Sequence, residues 1–394
     1  FNLTTFGAVE ANPMEPVYCP NGAVYFSSTA QNPLQQLAAS GQEKNRRRNL
    51  YATVNVNGDL SPILDGLKVF STVSFDAYET FESTQHNSIN TYSYDYMNMD
   101  VTDVSQFKYT RTQTYSALTN PNANQREYYY NLNFNAGLGY NHNFGKHNVD
   151  ARAFIRTYQH GVNSANSSER FLSYNGQLTY NYGNRYILSG NVSHMASDNF
   201  SPEERWGTFY GGSLGWVASE ESWMKNLDFV NLLKLRASYG RAGQSVTGAG
   251  RYPYQGTYAS GTGYSFGYDG GVNIGGFYES KAGNPNNKWE ISDMLNIGLD
   301  WDLWNKKFYG SFDAFKEWRS NILVTRSTIP TLIGVSVAQD SYGKVESKGF
   351  EATIGHRNKI GDFNYFIEGM VTYNINKITE MDETEPNVEW QRKT

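Results

Sequence analysis

"MLNIGLDWDLWNKKFYGSFDAF" (294–315) is the stretch on which the fold turns. Leu295, Ile297, Leu299, Trp301 and Leu303 fall on one face of an extended strand, and Asn296, Gly298, Asp300 and Asp302 fall on the other. After three turn residues the alternation resumes, with Phe308, Gly310, Phe312 and Ala314 set against Tyr309, Ser311 and Asp313. A period of two on both sides of a short turn predicts a β-hairpin. Two environments fit such a hairpin. One face can pack on a protein core while the other meets water, or one can meet lipid while the other lines a wet lumen.

Ten further stretches join its two strands, making twelve predicted strands in six hairpins: 50–57 with 67–79, 127–142 with 147–157, 171–182 with 185–195, 207–218 with 231–240, 294–315 itself, and 345–356 with 362–376. In the second hairpin Tyr128, Tyr130, Leu132, Phe134, Ala136, Leu138 and Tyr140 share one face. Asn131, Asn133, Asn135 and Asn141 share the other. In the fourth, Leu233, Leu235, Ala237 and Tyr239 oppose Lys234, Arg236 and Ser238. A charge facing lipid at mid-membrane costs roughly 2–4 kcal/mol, which accounts for Lys234, Arg236, Asp300 and Asp302 all taking the polar parity.

Links within hairpins are mostly short, as in "NFGK" (143–146), "GN" (183–184), "WNK" (304–306) and "RNKIG" (357–361). Links between hairpins are mostly long: 80–126, 241–290 and 319–344. Short turns at one end and large loops at the other fit an outer-membrane barrel, with turns in the periplasm and loops outside. Aromatic residues gather by the short turns: Trp301, Trp304, Phe308 and Tyr309 at one, Tyr140 and Phe144 at another, Tyr182 and Tyr186 at a third. This predicts an interfacial girdle, against the plainer explanation of aromatic enrichment in strands. The stretch 127–142 is far longer than the ~5–6 residues of an ordinary strand. The expected fold class is therefore an all-β transmembrane antiparallel barrel.

Composition agrees. Of 394 residues, 15% are aromatic and only 18% charged, with 30 Tyr and 37 Gly, which suits long strands and frequent turns. The net charge of −5 gives no reason to expect a nucleic-acid partner. Cys19 is the single cysteine, so no internal disulfide framework is available. No apolar run approaches the ~18 residues of a membrane helix, and a mean hydropathy of −0.61 is compatible with a barrel whose alternate residues meet lipid.

Eight segments, in order, resemble the SusC/RagA family of TonB-dependent outer-membrane transporters: "ANPMEPVY" (11–18), "NPLQQL" (32–37), "DGLKVFSTVSFD" (65–76), "FGKHNVDARA" (144–153), "RWGTFYGGSLGWVASEESWM" (205–224), "NLLKLRASYGRAGQ" (231–244), "NPNNKWEISDMLNIGLDW" (284–301) and "GKVESKGFEATI" (343–354). The resemblance implies a 22-stranded barrel around an N-terminal plug. Residues 1–394 then read as part of one barrel domain with extracellular loops 80–126, 241–290 and 319–344, the plug and the C-terminal closing strand being expected outside it. It further implies import of oligosaccharide or peptide and a SusD-like surface lipoprotein as lid. TonB with ExbB and ExbD would supply energy. The setting would be the lipid and lipopolysaccharide of the outer membrane of a Bacteroidetes-type bacterium. A homodimer of the SusC–SusD pair is left open.

Signals for catalysis are poor. The six histidines (His86, His142, His147, His160, His194, His356) form no helical i, i+4 pair and no HExxH. No catalytic residue, metal ligand or cofactor is assigned, and an enzyme is not expected. "GQSVTGAG" (243–250) and "GGVNIGG" (270–276) lack the βαβ setting of a phosphate loop and read as loop. The acidic "EMDETEPNV" (380–388) reads as a solvated loop before a calcium site. The candidate lumen-facing residues are Lys234, Arg236, Asp300, Asp302 and Asp313. They either hydrogen-bond a passing ligand or hydrate and stiffen the wall. Arg46, Arg47 and Arg48 form a candidate basic cluster at the rim, for lipid phosphates or the lid protein, against a plain solvated rim. Two other readings remain: a barrel that serves as scaffold or adhesin, and a soluble β-sandwich binding module.

Overall fold

The computed structural model describes residues 16–26, 32, 41–94, 107–162, 168–245, 250–268, 271–384 and 388–392. Twelve strands form one antiparallel sheet. They are β1 (Gln42–Asp59), β2 (Leu67–Gln85), β5 (Asn122–Phe144), β6 (His147–Val162), β7 (Glu169–Tyr182), β8 (Tyr186–Ser197), β9 (Trp206–Val217), β10 (Val230–Gln244), β13 (Glu290–Leu303), β14 (Phe308–Val324), β16 (Asp340–Ile360) and β17 (Phe363–Glu380). They lie side by side in that order, with β1 and β17 at the edges. The intervening labels belong to short strands outside the large sheet: β3 (Thr91–Tyr94), β4 (Tyr109–Gln113), β11 (Thr257–Phe266), β12 (Val272–Ala282) and β15 (Ser336–Val337). No described helix is long and apolar enough to cross a membrane.

All twelve predicted strands are present, paired hairpin by hairpin, and most run further than the alternation suggested. β16 continues through Arg357, Asn358, Lys359 and Ile360, so the turn expected at 357–361 contracts to 361–362. The loops are less irregular than expected. Residues 80–85 and 122–126 extend β2 and β5, β3 pairs β4 within the first loop, and β11 pairs β12 within the second. "NRRRN", expected at the loop-side end of the first strand, lies within β1 near that end, because β1 begins at Gln42 and not at Leu50.

Contacts divide the chain into two compact units. One comprises Phe1–Tyr51, Asp76–Tyr130 and Val162–Asn166. Within it Arg126 grips the Glu82 carboxylate with two N–H groups, at 2.6 and 2.5 Å, and Tyr78 stacks on Tyr129 at 4.9 Å between centroids. Cys19 is buried, and its thiol donates to the carbonyl of Tyr92. The other unit comprises Ala52–Phe75, Asn131–Gly161 and Ser167–Thr394.

The second unit holds a continuous ladder from β6 to β17, and its register sorts the residues onto two faces. Directly opposed residues in antiparallel strands share a face. The row Tyr180, Leu188, Leu214, Ala237, Ile297, Ala314, Phe350, Tyr373 is apolar from β7 to β17. Much of it is open to the surroundings: Leu214 is 61% exposed and Ile297 54%. Exposed apolar rows this long are what lipid accommodates and water does not. The short-turn end of the same face carries the aromatic girdle. Tyr182 stacks on Tyr186, Trp304 lies between Phe229 and Phe308, and Phe308 meets His356 at 4.4 Å. Tyr309 departs from the expectation. It has the opposite parity, and its ring covers Gly355 on the polar face, where a Cβ would come within 2.2 Å of it.

Candidate functional site

The polar face of the ladder is the candidate site. One of its rows runs Asn181, Ile187, Gly215, Arg236, Gly298, Asp313, Glu351, Thr372. Another runs Gln177, Asn191, Gly211, Gly240, Met294, Glu317, Ser347, Asn376. Amides, hydroxyls and glycines dominate, so the face is wettable, and its charges are few: Arg236 among the carboxylates of Asp313, Glu317 and Glu351.

Arg236 is its electrostatic centre. Nε and Nη2 each donate to Asp300 at 2.8 Å, while Nη1 and Nη2 donate to Asp313 at 3.0 and 2.9 Å. A planar fork suits two carboxylates in this way, and an ammonium would not. Three of the five sequence-predicted polar residues therefore come together. Asp302 goes elsewhere and accepts from Arg357 at 3.3 Å. Lys234 stands in register with Asp300, without a hydrogen bond to it among the described contacts. Arg357, missed in the sequence because it was placed in a turn, belongs with this group; its guanidinium also lies 4.8 Å from the Tyr309 ring centroid.

Further toward the long-loop end, β6 to β10 and β13 line a concavity of about 740 Å³. Asn175, Gln177, Asn191, Ser193, Ser213 and Ser238 supply its polar groups. Ser193 donates to Asn175 at 2.7 Å and Asn175 to Ser173 at 2.9 Å, which orients the amide. Gly211 and Gly240 leave the floor without side chains; a Cβ on Gly211 would lie 2.8 Å from Oδ1 of Asn191.

An apolar knot closes this end. Phe200, Phe209 and Trp289 are buried against one another, with Met195 and Ile291 beside them. Phe209 meets Trp289 edge-on at 5.1 Å, and the Trp289 indole donates to the carbonyl of Arg205 at 3.1 Å. The loops around it are tied by arginines. Arg251 reaches Asp198 and Glu169, both at 3.3 Å, and Arg326 reaches Asp340 at 3.0 Å and Asp382 at 3.4 Å. The N–H and hydroxyl of Thr328 also donate to Asp382. These bonds, the backbone N–H foremost, hold the Asp382 carboxyl below the usual aspartate range. The arginine ties were not visible in the sequence, because Arg251, Arg326, Thr328 and Asp382 lie in connections that carry no periodic signal.

At the short-turn end, Glu221 accepts from the Tyr186 hydroxyl at 2.5 Å and the Trp216 indole at 3.3 Å. Those donors, Tyr186 first, lower the Glu221 carboxyl below its ordinary value. The basic cluster is split by strand alternation, which sends Arg46 and Arg48 to one face and Arg47 to the other. Arg48 lies over the Phe81 ring at 5.2 Å.

A model of the TonB dependent receptor-like β-barrel family matches residues 20–391. The TonB-dependent receptor SusC of Bacteroides thetaiotaomicron is 30% identical over 212 residues, which are 53% of this chain and 21% of that protein. The TonB-dependent receptor P39 of Formosa agariphila is 29% identical over 206 residues, 52% of this chain and 19% of that protein. The matched stretch thus spans about a fifth of these relatives. Among solved structures, the RagAB peptide importer in its closed-closed state superposes on 93% of the chain with a TM-score of 0.65 at 16% identity, over 42% of its own length. At that identity the likeness is one of fold.

Proposed function

The chain belongs to the TonB dependent receptor-like β-barrel family, an outer-membrane family, and on that basis we propose that it forms part of the wall of a SusC-like importer for neutral polar oligomers, oligosaccharide or peptide. The observation that carries this is the division of one sheet into an exposed apolar face and a polar face made mostly of amides, hydroxyls and glycines. Lipid takes the first. The second lets a hydrated oligomer slide past without a strong electrostatic trap.

In this reading the long-loop end faces outward and receives cargo beneath a SusD-like lipoprotein. TonB with ExbB and ExbD drives release at the short-turn end. The tied Arg236 cluster braces the wall, since its carboxylates are already engaged, and the free amides near Asn191 touch the cargo. The peptide cargo of the RagAB importer and the kinship with SusC support the two cargo classes named. The domain layout, with the described sheet as one part of a longer barrel, belongs to the same proposal.

The test is uptake. Cells lacking the gene are supplied with labelled oligosaccharides or peptides as sole nutrient, in parallel with cells lacking TonB. Uptake lost in both supports the importer. Uptake unchanged in both, with loss of surface attachment, would favour a scaffold or adhesin.

A further inference from the structure

On the apolar face of the sheet, β14 and β16 set Lys316 directly opposite Lys348. Like charges in register across two strands repel and cost stability. The Lys316 ammonium is partly compensated, 3.1 Å from Glu346 and 5.0 Å from the centroid of the Trp318 ring. Lys348 is exposed and makes no ion pair or hydrogen bond among the described residues. Lys377, opposite Glu346 on β17, brings a third ammonium to the same face. Three cations therefore surround one carboxylate.

Their level matters. Phe308 marks the girdle at the short-turn end, and Lys316 lies eight residues up the same strand, about 26 Å along it at ~3.3 Å per residue and roughly 20 Å along the membrane normal at a tilt of about 35–45°. The long lysine side chain carries its ammonium the remaining few ångströms to the top of an apolar band ~25 Å tall. Just below the lysines the face is an aromatic ladder: Phe350 packs on Phe312 at 6.1 Å and on Tyr373 at 5.8 Å. Cations directly above exposed apolar rings complement one kind of ligand, an anionic amphiphile lying along the barrel wall.

We propose that Lys316, Lys348 and Lys377 hold a phosphate of a phosphorylated outer-leaflet glycolipid of the lipid A class, with its acyl chains against the Phe312–Phe350–Tyr373 ladder. The phosphate supplies the counter-charge that the lysine pair lacks, and lysine serves as a point-charge phosphate ligand. The site rests on outer-membrane placement and not on the cargo, so its failure leaves the import test untouched.

The experiment uses the native protein, delipidated in mild detergent and mixed with bisphosphorylated lipid A, with retained lipid counted by native mass spectrometry. Wild type is expected to keep one lipid A. Lys316→Gln combined with Lys348→Gln should weaken retention at least about tenfold, because two of the three phosphate-facing cations are removed. Lys348→Arg should keep it, and lipid A stripped of its phosphates should bind wild type and double variant alike. Gel heat-modifiability checks folding, and if the double variant does not fold, Lys348→Gln alone is read. Equal retention of lipid A by wild type and the folded variant overturns the proposal. So does preferential retention of phosphatidylglycerol, or an acidic protein partner lost with the lysines.

Discussion

Arg236 and Asp313 belong to strands that are not neighbours, and they meet because Gly298 on the strand between them has no side chain. The three residues share one register row. A Cβ on Gly298 would lie 2.7 Å from both the guanidinium carbon of Arg236 and Oδ1 of Asp313. The glycine is a window through which β10 is tied to β14 as well as to β13.

Gly298→Ala should therefore weaken the brace without touching any polar group. Overpacking of this kind costs about 1–3 kcal/mol. Arg236→Lys should cost about 1–2 kcal/mol by losing the second carboxylate, a figure held down by the one-third exposure of the side chain. Urea unfolding of the barrel, followed by tryptophan fluorescence, checks both. Unchanged midpoints would show that the triad is not a brace.

Gly243 abuts the Phe209 ring, 1.9 Å from where a Cβ would sit. Gly243→Ala should push the ring out of the knot, and Trp289→Ala should leave a cavity costing about 3–5 kcal/mol. Both changes are expected to speed limited proteolysis in 245–289 while the short turns stay protected. Cleavage confined to the short turns would place the weak point elsewhere.

Asp382 gives a pH-dependent loop. Its folded-state carboxyl titrates below its ordinary value of 3.8, because Thr328 donates to the charged form. The sign follows: the unfolded loop binds the proton more readily, so the contribution is whole above the ordinary value and is lost as pH falls through the folded one. The protection factor of the Thr328 amide, its exchange rate corrected for the intrinsic pH dependence, should fall below about pH 4. Asp382→Asn should remove that dependence.

The turn between β13 and β14 holds Trp304, Asn305 and Lys306 at φ of 50, 56 and 64°. These left-handed conformations favour glycine. The contacts of Lys306 run through its backbone, its N–H donating to Asn231 and its carbonyl accepting from Arg357. Lys306→Gly should leave them intact and stabilise the hairpin by about 0.5–1 kcal/mol. A lower unfolding midpoint would mean that the lysine side chain matters more than its backbone strain.

Much of the fold could be read along the chain. Leu233, Leu235, Ala237 and Tyr239 face one way and Lys234, Arg236 and Ser238 the other because a strand turns its side chains over at every step. The same rule named Arg236, Asp300 and Asp313 as polar-face residues. It stopped where alternation stopped. One end of β16 carries Arg357 and Lys359 in a polar run that resembles a turn, and the strands inside the long loops are either very short, as β3 and β4 are, or interrupted by glycine, as β11 and β12 are.

Face and strand identity are local properties, carried along the chain by a period of two. Which partner each side chain meets is not local. Arg236 reaches residues 64 and 77 positions away, and a slip of one residue between β10 and β13 would turn Asp300 to the lipid side. The same holds for Lys316 opposite Lys348. These meetings come from the folded sheet alone, because register between strands depends on the pairing of whole strands, and neither pair lies within one hairpin.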